Sequence, residues 1–120
     1  MTRKPLKRRI SERAIHQAVI AHWRAFGVPG SLVATIPNMR AMGQSGLTPG
    51  LPDLIVISPA LGHMAGFLEL KADDGHLSEA QADFEALCAL RGIPWAVTFG
   101  RDQPIRQLEL WGAVKAMVRQ

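Results

Sequence analysis

A chain of 120 residues, 48% hydrophobic and 20% charged, has the size and balance of one compact domain and is too short for two. It holds no apolar run near the roughly 18 residues that span a bilayer, and no apolar stretch behind its first charges to act as a secretory signal. Its single cysteine, Cys88, excludes an internal disulfide and suits a reducing cytosol, so the expectation is a cytoplasmic protein without membrane association.

The formal charge of +4 is uneven. Arg3, Lys4, Lys7, Arg8 and Arg9 carry five of the 14 basic residues, and from residue 10 onward nine bases face ten acids. Residues 1–10 therefore read as a basic arm on a nearly neutral body, 11–120. Such an arm serves either to neutralise phosphates or simply to solvate the terminus, and composition does not choose between them.

Residues 11–26 carry a helical pattern. Ser11 is placed to cap it, Ile15, Val19, Ile20, Trp23 and Phe26 recur at helical spacing, and Gly27 with Pro29 supplies the stop. Residues 31–36 are short, apolar and partly β-branched, as a strand requires. Residues 37–51 have little periodicity and are punctuated by Pro37, Gly43, Gly46, Pro49 and Gly50, which predicts a long loop of the kind that is usually functional or disordered.

A second apolar strand is expected over 53–58, then a turn over 59–66. Residues 67–71 alternate, with Phe67, Glu69 and Lys71 on one face and Leu68 and Leu70 on the other. The next helix, 78–91, starts at Ser78, turns Phe84, Leu87, Cys88 and Leu90 inward, and ends at Gly92 and Pro94. A fourth strand, 95–99, and a closing amphipathic helix, 104–118, complete the order α-β-β-β-α-β-α, an α/β mixed sheet flanked by helices.

The chemistry concentrates at three residues. Asp53 opens a buried strand directly after Pro52, and Glu69 and Lys71 leave one face of the next. The connection between these strands is short enough for a hairpin, which would set Asp53 beside Glu69. Two close carboxylates repel unless a cation relieves them, and hard oxygen ligands suit Mg2+ or Mn2+. Lys71 could then orient water or hold developing negative charge. A Glu-x-Lys on a strand is ordinarily a solvated face, but flanking Leu68 and Leu70 mark this strand as central, where unpaired charge is costly.

GLPD (50–53), GFLELK (66–71) and GHLSEAQ (75–81), in that order, resemble the PD-(D/E)XK nucleases, and within them the virus-type replication-repair nuclease (VRR-NUC) domain. The resemblance spans roughly residues 11–112. It implies a restriction-endonuclease-like fold and a metal-dependent DNA endonuclease. Asp53, Glu69 and the Leu70 main-chain carbonyl would be metal ligands, Lys71 the catalytic lysine, and Gln81 a further active-site residue.

Glu12 occupies the place of an additional helix acid, though an acid there also favours the helix dipole. Gln81 also completes a capping box with Ser78. One side chain is not expected to do both, and the site is preferred. Asn38 and Arg40 fall where the resemblance implies DNA contacts, with Arg8 and Arg9 of the arm as further ones. A solvated loop is the plainer reading of Arg40.

His16, one turn after Glu12, either borders the site or is solvated. His22, His63 and His76 show no zinc spacing with Cys88, and the three tryptophans read as packing anchors. Stand-alone relatives imply a homodimer acting on branched or four-way-junction DNA, in repair within a bacterial or phage-infected cell. Leu108, Trp111 and Val114 offer a seam, unless that face simply covers the sheet. The alternatives are a restriction-type endonuclease on the same fold and a non-cleaving nucleic-acid-binding module.

Overall fold

The computed structural model describes residues 10–37, 46 and 48–118. Along the chain run α1 (Glu12–Phe26), β1 (Leu32–Thr35), β2 (Leu54–Ile57), a 3-10 turn (Pro59–Leu61), β3 (Gly66–Lys71), α2 (Glu79–Arg91), β4 (Trp95–Phe99) and α3 (Asp102–Leu110). The expected order of helices and strands holds. The four strands form one sheet in the order β1-β2-β3-β4. β1 and β2 are antiparallel, as are β2 and β3, while β3 and β4 are parallel. Parallel neighbours need a crossover, and α2 supplies it.

β3 is therefore central, and its alternation decides the layers. Leu68 and Leu70 share a face with Leu54, Val56 and Val33, and this face packs against Ile15 and Val19 of α1 and Leu108 of α3 in one buried core. Each such side chain contributes about 1.5–3 kcal/mol on burial. α1 begins as its sequence requires, with the Ser11 hydroxyl accepting the Ala14 N–H at 3.1 Å.

The opposite face is covered less completely. α2 reaches it through Phe84, whose ring meets Phe67 edge-on at 5.3 Å, and through Cys88, which is buried. Leu87 and Leu90, expected to point inward, are 50% and 76% exposed. The α2 crossover leans on β4 by one narrow stripe, and apolar residues beyond that stripe are not covered by the described residues.

α3 is also shorter than its apolar periodicity implied. It stops at Leu110 because Gly112 takes φ +70° and sits where a Cβ would come within 2.6 Å of the Ala60 Cβ. The chain then turns back, so that Val114 bridges to Gly27. Leu108 and Val114 are core residues, and Trp111 lies over Gly66. That face covers the sheet, so the seam considered for a dimer at Leu108, Trp111 and Val114 is not available.

Candidate active site

The β2–β3 ladder stops at Leu54 opposite Leu68, while β3 runs on to Lys71 beside β4. The two strands part beyond that pair, and the fork between them is where the expected residues gather. Continuing the register puts Asp53 opposite Glu69 and Pro52 opposite Leu70. Asp53 does not extend the ladder with its backbone. Its Oδ2 accepts the Leu70 N–H at 2.7 Å, while its carbonyl accepts the Ile36 N–H at 2.8 Å.

Pro52 gives the Pro-Asp pair a physical meaning. Having no N–H, it cannot donate to the Leu70 carbonyl, which points to the same side of β3 as the Leu70 N–H. The fork thus holds two carboxylates and a main-chain oxygen that no ladder bond claims. Gly50 is fixed by the same local packing. It has φ +89°, and a Cβ there would run into the Ala80 carbonyl at the start of α2.

Glu69 and Lys71 are buried, at 3% and 8% exposure. Their charged atoms, Oε1 and Nζ, are 3.8 Å apart. Burial, then the charge of Asp53 and a hydrogen bond with it, push the Glu69 carboxyl up to about 8. Lys71 pulls the other way, and Glu12 adds the smallest upward push. An acid held neutral by burial and by a neighbouring carboxylate is a place where a cation would relieve both costs. The donors present, all oxygen, fit a divalent cation of the Mg2+ or Mn2+ kind.

Gln81 overturns an either-or expectation. Its Oε1 accepts the Ser78 N–H at 2.8 Å and completes the capping box, in which Ser78 Oγ accepts the Gln81 N–H at 3.1 Å. Its Nε2 donates to Glu69 Oε1 at 3.0 Å. The two ends of one amide thus serve the helix start and the site together. An amide has both a donor and an acceptor end, so the two uses do not compete.

Glu12 stands in the first turn of α1, near enough for its charge to act on Glu69. Among the described residues, however, no three His, Cys, Asp or Glu side chains gather as metal ligands. His16 does not border the carboxylates as a free group. Its Nε2 is 2.8 Å from Thr35 Oγ1, which ties α1 to β1. Asn38, Arg40, Arg8 and Arg9 lie outside the described residues.

The layout is α/β and restriction-endonuclease-like, a mixed four-stranded sheet between helices. More narrowly, it is the fold of a VRR_NUC domain. A solved structure described as "VRR_NUC domain" matches it with a TM-score of 0.59 at 22% identity, over 83% of this chain and 97% of that one. No family model and no curated protein sequence matches the chain. Among the described residues, no helix is long and apolar enough to cross a membrane.

Proposed function

We propose that this chain is a divalent-metal-dependent DNA endonuclease, acting on branched DNA such as four-way junctions as a homodimer. The observation that carries the reading is the convergence of half-buried Asp53 on buried Glu69 at the β2/β3 fork, with buried Lys71 alongside. Charge is left in a sheet interior only where something repays its desolvation.

Asp53, Glu69 and the Leu70 carbonyl would hold Mg2+ or Mn2+, with Glu12 as a further ligand. The bound cation would supply a water of lowered pKa and positive charge at the phosphate. Lys71 is too close to Glu69 to be a remote solvated charge. Its ammonium orients the attacking water or holds charge on the phosphate oxygens as the phosphodiester opens. Gln81 keeps Glu69 Oε1 in place through Nε2. The VRR_NUC fold supports this choice over a non-cleaving module, because the likeness covers nearly the whole of the solved domain.

Dimerisation is the finer part of the proposal. A two-fold pair would present one site to each of two opposed strands of a junction. With the α3 face buried, the exposed apolar positions Leu87 and Leu90 of α2 are the better candidates for contact between copies. The arm, with Arg8 and Arg9, and the loop residues Asn38 and Arg40 would add phosphate contacts.

The test is a panel of linear, flap, splayed and four-way DNA with Mg2+ or Mn2+, with light scattering for mass. Wild type cuts branched forms best and only with metal. Asp53→Asn, which keeps an acceptor for the Leu70 N–H, loses about a thousandfold or more, on the scale of several kcal/mol of metal assistance. Lys71→Met loses cleavage but keeps metal binding. Full activity in Asp53→Asn, or cleavage in chelator, would overturn the assignment.

A further inference from the structure

The active site lies on the α2 face of the sheet. On the other side, between the C-terminal half of α1 and the start of α3, a second cleft of about 410 Å3 opens, lined among others by His22, Phe26, Arg101, Asp102, Arg106 and Met117. Its volume is within the range of small-molecule sites, roughly 300–1,000 Å3. No role follows for these residues from the sequence motifs, and the proposed cleavage does not use them.

Two properties set the cleft apart from ordinary surface. Arg101 and Arg106 are exposed on its wall, and neither guanidinium has a salt bridge or hydrogen bond within the described residues. Asp102 is the single acid among the lining residues, so the cations are in excess. Beside them is an aromatic wall. Phe26 is 48% exposed, and the His22 ring backs it with centroids 4.8 Å apart and planes tilted by 46°. The His22 Nε2 is shielded from solvent without a hydrogen-bond partner, so the ring acts here as a packing surface. Met117, 52% exposed, adds apolar area.

We propose that this cleft holds one unpaired nucleotide of a DNA strand, its phosphate between Arg101 and Arg106 and its base on the Phe26 ring. This rests on the reading of the protein as a DNA endonuclease and deepens it, naming single-stranded character as part of what is recognised. Free guanidinium groups next to an exposed aromatic face are what single-strand binding uses, since a π-face accepts any base and arginine follows the backbone. Bases stacked in a duplex are not free to lie on Phe26.

The cleft is also reachable from the site. The Gly100 N–H donates to the Lys71 carbonyl at 2.9 Å, and Arg101 is the next residue. The cleft therefore begins at the end of the sheet where β3 delivers Lys71. A strand held at the fork reaches it by passing over the β3/β4 end.

The experiment measures binding of the intact chain, in chelator, to labelled oligothymidylate, a blunt duplex and thymidine monophosphate, by fluorescence anisotropy and competition over a salt series. Arg101→Ala/Arg106→Ala weakens oligothymidylate binding tenfold or more and makes the log–log salt slope shallower by about 0.7 for each phosphate no longer neutralised. Phe26→Ala weakens it about tenfold with the slope kept, and Arg101→Lys/Arg106→Lys retains the slope. Duplex binding changes far less.

Equal losses for duplex and oligothymidylate would overturn the proposal, leaving a general basic patch. Wild-type affinity in the arginine variant would overturn it too, as would thymidine monophosphate binding as tightly as the oligomer, which marks a free-nucleotide site. Melting curves establish that each variant is folded. Cleavage is scored separately with wild type: its absence would sink the nuclease reading alone, whereas unchanged oligothymidylate binding in the variants of a cutting enzyme would sink the cleft alone.

Discussion

The two faces of β3 show the same strand used in opposite ways. Toward α1 and α3, Leu68 and Leu70 are sealed in a continuous core. Toward α2, Glu69 and Lys71 are almost as deeply buried, and there Glu69 holds its proton up to about 8 against the cost of a buried charge beside Asp53. The first face is stabilised by what it excludes. The second is destabilised by what it holds, which, under the proposed function, a cation and a phosphate would relieve. Stability and function are therefore separable by alternate residues of one strand.

That separation can be broken most severely on the core face. Leu68→Ala leaves a cavity under both α1 and β2 and should cost about 2–5 kcal/mol, seen as a large drop in melting temperature. A loss below about 1 kcal/mol would mean that the core repacks freely around the site.

On the other face the sign reverses. Unfolded Glu69 gives up its proton near its ordinary value of 4.5, while the folded protein holds it to about 8. Between these the folded state binds more protons, so metal-free stability falls as pH rises. Glu69→Gln should flatten that fall and be the more stable protein above pH 8 in chelator, whereas added Mg2+ should stabilise only wild type. Parallel melting-versus-pH curves for the two proteins would show that Glu69 is not strained.

Gly50→Ala tests the loop that presents Asp53. With a left-handed φ and the Ala80 carbonyl in the way, it should lose about 1–3 kcal/mol, together with metal affinity by titration calorimetry. The smallest effect belongs to Gln81→Ala, about 1 kcal/mol from removing its half of the capping box. Gln81→Glu restores the acceptor for Ser78 but sets a carboxylate beside Glu69. If it melts like wild type while cleavage falls, the two ends of the amide are resolved.

Much of this was legible in the chain. β4 falls on residues 95–99 as its apolar run indicated, and α1 starts after Ser11 because a hydroxyl, an acid and helical periodicity all agree there. The hairpin of β2 and β3 followed from the short connection between them. What failed did so for tertiary reasons. Periodicity carried α3 to 118, but Gly112 breaks it against Ala60. It also turned Leu87 and Leu90 inward, although a helix crossing one edge of a sheet covers only a stripe.

At the site, Asp53, Glu69 and Lys71 could be brought together from spacing and strand faces alone. The double use of Gln81 could not, since it depends on the N-terminus of α2 meeting the fork. Arg101 and Arg106 lie in no motif, and only the packing of α3 on α1 sets them across a cleft from His22 and Phe26.

The fork has one more consequence, for association rather than catalysis. Beyond Leu68, β3 has lost β2 and presents a short length of open strand inside the sheet. Open strand invites pairing with another chain. Here the one N–H facing the gap, that of Leu70, is already taken by Asp53, and the flanking Asp53 and Glu69 side chains would be forced against any incoming strand. The acids that would receive a metal thus also guard a sticky edge, so neutralising both should make the protein more prone to aggregate even where its fold survives.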